Sequence, residues 1–308
     1  MQSRTKQSSQ TREGMIAASL AFGFWGMVPL YFKALNEVGA GEIIAHRIIW
    51  SVPLLALFLL LRDGRQFFRR LVLPPKLILG LLLSGLLVSN NWLVYVYAVV
   101  NDQVMATSLG YFINPLVNVL LGFLFLHERL TRSQAFAVAL AAAGTLYLGI
   151  YLGQPPWIAL VLGFSFGFYG LVRKKLAVGP MTGLMWEVLL LMPLGLGFLL
   201  WLQAQGGISF LNLGLRTDVL LLLAGPVTVL PLIWFNMAAK KLPLTVLGFF
   251  QYTTPSLVFI LAAFVWDEPF TQGHAVAFGC IWTALLILSV ESVARMRRER
   301  RLRNASNG

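Results

Sequence analysis

The chain has 308 residues, 58% of them hydrophobic and only 12% charged, with a formal net charge of +12. A soluble fold cannot hide that much apolar side chain, so an all-α integral membrane protein is the expected class. One cysteine, Cys280, excludes an internal disulfide or a cysteine-built cluster, and His46, His127 and His274 match no metal-ligand spacing; no metal or other cofactor is expected.

A helix needs about 20 apolar residues to cross a bilayer. Ten such runs follow one another, near residues 14–33, 41–61, 77–100, 104–126, 133–152, 156–172, 181–203, 218–239, 243–265 and 273–294. Residues 1–13 form a basic polar tail. The first run follows it without a small-residue cleavage motif, so it is read as a retained helix rather than a signal peptide. It carries "FGFWG" with Trp25.

The second run holds His46 and Arg47 in "AHRIIW", about six residues inside its start. Charge at that depth is costly, and it is usually paired or functional. The third, "SNNWLVYVY", sets Asn91 and Tyr95 at i, i+4. In the fourth, "LGYFINPLVNVLLGFLFLHERL", Tyr111, Asn114 and Asn118 share a face at i, i+3, i+7. Pro115 there lacks an amide and frees a carbonyl, so the polar first half is expected at a cavity. Val119 to Leu126 then packs or meets lipid. Thr131 with Gln134 fits a capping box opening the fifth run.

The sixth run repeats "FGFYG" with Tyr169, and the seventh carries Glu187 in "MWEVLL". The eighth contributes Trp234 and Asn236; the ninth, "LGFFQYTTPS", contributes Gln251, Tyr252, Thr254 and Pro255. An Arg-rich tail, 295–308, is expected to lie against anionic membrane lipid rather than nucleic acid. With the N-terminus in the cytoplasm, 21 of the 24 Lys and Arg residues fall inside, Lys33 and Arg216 outside, and Arg47 within a span. This is a positive-inside pattern with both termini cytoplasmic.

The chain also repeats itself. "FGFWG" at 22–26 matches "FGFYG" at 166–170, Pro53 matches Pro193, and "PLVNVLLGFLFLHERLT" matches "PSLVFILAAFVWDEPFT". The last pair aligns Glu128 with Glu268 and Thr131 with Thr271, and Arg47 aligns with Glu187. Glu128 and Glu268 are expected at helix ends. A repeat of five spans inverts its second copy, and inverted repeats characterise alternating-access transporters with a midplane site. Singly, the amides read as interhelical glue and the aromatic rings as interfacial anchors. Recurring in both halves, they favour a shared cavity. For Arg47, Glu187 and His46 an ion pair, substrate recognition and proton coupling all stay open. Gly80–Ser84, Gly163–Gly167 and Gly122 fit close helix packing.

Together "GYFINPLVNVLLGFLFLHERL", "EIIAHRIIWS", "NNWLVYVYAV", "FSFGFYGLVRKK" and "LGFFQYTTP" resemble the RarD-type branch of the EamA transporters, within the drug/metabolite transporter superfamily. The resemblance runs from about residue 12 to 294. It implies ten transmembrane helices in two EamA repeats, 14–152 and 156–294, in a bacterial inner membrane. It also implies export of small metabolites or drugs, and the RarD label is tied to chloramphenicol sensitivity. In related transporters the cavity is lined by helices one, three, four, six, eight and nine, the runs that carry the polar sets above. No nucleotide-binding loop is present, so a secondary transporter of a small-molecule solute is the expected function. An enzyme is not expected, because Glu42, Glu128, Glu187 and Glu268 are spread over different runs. A non-transporting membrane scaffold or sensor is the alternative.

Overall fold

The computed structural model describes the backbone of residues 2–127, 129–242 and 244–306; side chains are described for 11–294 except 70, 128, 240, 243–245, 248, 249 and 292. The helices are α1 (Gln2–Lys33), α2 (Ala40–Asp63), the short α3 (Gln66–Arg70), α4 (Pro75–Val100), α5 (Val104–Leu126) and α6 (Arg132–Leu152). The second half comprises α7 (Trp157–Lys175), α8 (Pro180–Ala204), α9 (Leu215–Lys241), α10 (Leu244–Gln251), α11 (Thr253–Ile260) and α12 (Gln272–Ser306). Among the described residues, 9 helices are long and apolar enough to cross a membrane.

The remaining span is the ninth, and it is not one helix. It breaks at Tyr252 between α10 and α11, then widens into a π turn over Leu261–Val265. Pro255 explains the break: it has no amide to return to the carbonyl of Gln251. The matching Pro115 is absorbed inside an unbroken α5. Local signals act elsewhere too. Pro75 and Pro180 open α4 and α8, where a missing amide costs nothing. Thr131 Oγ1 accepts the Gln134 amide at 3.1 Å and Gln134 Oε1 accepts the Thr131 amide at 3.0 Å, completing the capping box at α6.

The chain is thus a multi-pass, all-α membrane protein of two opposed five-span halves, α1–α6 and α7–α12. The halves interlock rather than sit side by side. α1 packs on α9, α2 on α8 and α9, α4 and α5 on α7, and α6 on α12. Glycines permit the tightest approaches. Gly225 of α9 lies against the Trp50 carbonyl of α2, and Gly110 of α5 against Ala159 of α7.

Connectivity places both termini at one end of the bundle, here termed the basic end. The opposite, far end is held by polar contacts between the halves. Glu42 accepts the Ser209 and Phe210 amides, each at 2.9 Å, and the Tyr31 hydroxyl donates to the Leu220 carbonyl at 2.6 Å. Within the first half, Lys33 pairs with Asp102. Glu268 accepts the Val104 and Met105 amides at 2.7 Å each, meeting the positive end of the α5 dipole. It therefore sits at a helix end, as expected; Glu128 lies outside the described residues. Burial pushes the Glu268 carboxyl up from its ordinary range, against the pull of the two amides and Lys33. Glu268→Ala leaves two buried donors unmet and is expected to cost about 1–3 kcal/mol, read as a lower Tm in detergent.

Candidate functional site

Two clusters of embedded polar groups lie at opposite depths. Arg47 is eight residues from the far end of α2, counting Ala40, and Glu187 is likewise eighth in α8, counting Pro180 from the basic end. At ~1.5 Å per residue each sits about 10 Å inside.

Arg47 Nε donates to Thr228 Oγ1 of α9 at 2.7 Å. The guanidinium carbon lies 4.1 Å from the centre of the Trp92 ring and 5.9 Å from that of Phe32. Such stacking suits Arg, whose delocalised charge is weakly hydrated. Phe32 links Arg47 to Tyr31, whose ring is 5.0 Å from that of Phe32, and to Tyr95. The Tyr95 ring is 5.6 Å from Tyr111 and 6.0 Å from Phe32, so α1, α4 and α5 supply an aromatic cage for Arg47 of α2, which Thr228 of α9 holds. Arg47 itself joins none of the ion pairs among the described residues.

Glu187 is enclosed differently. Its Oε1 accepts from Ser84 Oγ at 2.6 Å, its Oε2 accepts from the Tyr169 hydroxyl at 3.4 Å, and Arg173 Nη1 stands 3.6 Å from Oε1. The carboxylate side chain is 1% exposed and its partner 14%. Gly183 makes room: a Cβ there would lie 1.8 Å from Arg173 Nη1. The ion pair left open for Glu187 is therefore made with Arg173, not with its repeat-mate Arg47.

The remaining expected residues divide. Asn91 is buried and donates to the Leu162 carbonyl and Ser165 Oγ at 2.9 Å each, so its amide joins α4 to α7 while Tyr95, one turn on, turns to the cage. Asn114 is half-buried, and its Oδ1 is enclosed without a hydrogen-bond partner among the described residues. Asn118 and Gln251 are exposed, and Tyr252 occupies the break in the ninth span. Thr254 Oγ1 donates to the Phe22 carbonyl at 2.9 Å. Trp25 packs on Phe235 and Trp234 on Phe24, both at 5.8 Å, as an aromatic seam between α1 and α9. Asn236 donates to the Leu232 carbonyl at 2.7 Å and lines a cavity of about 600 Å³ at the basic end, with Phe58, Arg62, Met181 and Ile233. His46 is buried near the far end; Trp50 Nε1 donates to its Nδ1 at 3.0 Å, and its Nε2 is 4.0 Å from Glu42.

Tyr31, Phe32, Trp92, Thr228 and Arg173 are not singled out in the sequence, and Ser84 reads there only as a small packing residue. Trp92 stood inside the quoted third run, and only helix rotation decides that it meets Arg47. Arg173 was grouped with the surface charges that follow the sixth run, because its 14-residue separation from Glu187 crosses a loop.

Opposed five-span halves with charged and aromatic side chains between them define a membrane protein of the inverted-repeat transporter class. The chain belongs to the EamA-like transporter family, in the branch of the proteins named RarD: that family's model matches residues 12–150. It is 44% identical to "Protein RarD" of Salmonella typhi over 95% of this chain and 99% of that protein. It is equally, 44%, identical to an "Uncharacterized transporter" of Vibrio cholerae over 97% of this chain and 99% of that one. A solved crystal structure at 19% identity aligns with a TM-score of 0.59, covering 94% of this chain and 98% of that chain, a likeness of fold.

Proposed function

We propose that this chain is a secondary transporter of the bacterial cytoplasmic membrane that exports a small amphipathic solute by alternating access, with both termini inside. The observation that carries the reading is the inverted placement of Arg47 and Glu187 in repeat-mate helices, each at the contact between the halves. The polar stitching at the far end and the cavity of about 600 Å³ at the basic end favour access from one side at a time. Rocking of one half against the other would exchange the two ends.

The test is flux in liposomes holding the purified protein, across a panel of metabolites and antibiotics that includes chloramphenicol. Absence of flux for the whole panel would favour the alternative, a scaffold or sensor. Asn114→Ala sharpens the test. Because Oδ1 is enclosed without a partner, removing it should leave Tm unchanged or slightly raised. If Asn114 meets the solute, transport should fall about fivefold or more, one lost hydrogen bond of roughly 1 kcal/mol. Parallel loss of Tm and flux would return Asn114 to a packing role.

A further inference from the structure

We propose that Arg47, with Tyr95 and Tyr111, forms an anion-binding site, and that the solute carried is an organic anion with a carboxylate or sulfonate head on an apolar body. Transport of the anion rests on the proposed function; the binding site does not.

A guanidinium has five N–H donors. Within the described residues Arg47 uses one, Nε to Thr228. Among the described residues no hydrogen bond ends on the Tyr95 or Tyr111 hydroxyl, and neither is among the sealed, partnerless atoms. Arg47, Trp92 and Tyr111 are half-buried rather than sealed in the packed core. Every group left over can donate, and the charge is positive. The missing piece is an acceptor bearing negative charge.

The second half supplies an internal comparison. At the same repeat position the protein encloses Glu187 with a cation, Arg173, and two hydroxyls. It gives Arg47 no such counterion among the described residues. An Arg stays protonated in such a site, so a positive charge with no carboxylate partner among the described residues is left for a bound anion to meet. A cationic solute would meet the field of Arg47 unopposed. The apolar body has its own lining in the half-buried rings of Trp92 and Tyr111. Above the site, Tyr31–Leu220 and Lys33–Asp102 close the far end.

Thermal shift on the purified full-length protein in detergent tests the site, using matched pairs at constant ionic strength. The pairs are 3-phenylpropionate with 3-phenylpropionamide and benzenesulfonate with benzenesulfonamide, alongside sodium phosphate. The acids should raise the wild-type Tm by about 2 °C or more at saturating concentration, and the neutral partners should not. Arg47→Gln should abolish the shift and Arg47→Lys keep part of it. Tyr111→Phe should weaken apparent affinity about three- to tenfold, the loss of one charge-assisted hydrogen bond. It guards against failure of the Arg47 variants to fold. A response to phosphate equal to that of the acids would keep the anion site but overturn the organic solute. Equal shifts from acids and amides, acid shifts that survive Arg47→Gln and Tyr111→Phe, or no shift from any acid overturn the site. Parallel flux of the same compounds in liposomes separates the two readings. Acids that bind without crossing overturn transport alone; neutral solutes that cross equally in wild type and Arg47→Gln overturn the anion alone.

Discussion

Arg173→Met is expected to destabilise the protein by about 3 kcal/mol, while the double variant Arg173→Met with Glu187→Leu recovers most of that loss. Removing one partner strands a buried charge, whereas replacing both with apolar groups of similar volume is often neutral. The figure belongs at the low end because the Arg173 side chain is 14% exposed and partly screened. Glu187→Leu alone removes the costlier burial and strands a cation closer to water, so it should hurt less than Arg173→Met. The measurement is Tm by intrinsic fluorescence for the four members of the cycle. Additive losses would mean that the 3.6 Å pair contributes little and that Ser84 and Tyr169 hold Glu187. The same cycle run for flux under a pH gradient addresses coupling. A gradient response that survives in the double variant would remove Glu187 as a proton carrier and leave His46 to be tested.

Gly225→Leu is expected to yield no stable, monodisperse protein, and Gly225→Ala to lower Tm sharply. A Cβ at 225 would lie 2.5 Å from the Trp50 carbonyl oxygen and 2.6 Å from its carbon. Those are backbone atoms and cannot rotate aside, so α2 and α9 must separate; such overpacking costs about 1–3 kcal/mol or more. The consequence reaches the site, since Thr228 is one turn beyond Gly225 and Trp50 nearly one turn beyond Arg47. Separation would stretch the 2.7 Å bond between Arg47 and Thr228. Gly225→Ala should therefore also weaken the anion-dependent thermal shift. Gly279→Ala is the control: nothing lies within 4 Å of its Cβ position, so Tm should move little. Size-exclusion profiles and Tm of the three variants decide the matter.

Much of the architecture was legible in the linear chain because hydrocarbon imposes its requirement locally. Each span must satisfy its own backbone and present apolar side chains, so its length and bounds show in the sequence. The capping box at Thr131 and the proline-opened α4 and α8 are local in the same way. The break in the ninth span was not foreseen, since 243–265 reads as one run: Pro255 permits it, but the matching Pro115 leaves α5 whole, and packing of the surroundings decides between them. Ser108 of α5 donates to the Pro255 carbonyl at 2.8 Å, a contact with no local trace.

The site was legible as a set of unusual residues and illegible as a set of partners. Arg47, Glu187, Tyr95, Tyr111 and Tyr169 stand out in the sequence because polar groups are expensive in a membrane. Sequence alone thus determined the class, the spans, the five-span repeat and the residues that need explaining, since composition and period carry those directly. The tertiary structure decided that Glu187 belongs to Arg173, that Asn91 is spent between α4 and α7, and that Arg47 rests on Trp92 and Thr228. Helix rotation and the crossing of two interlocked halves set those contacts. Residues as far apart as Arg47 and Thr228, 181 positions, meet only once the halves are packed.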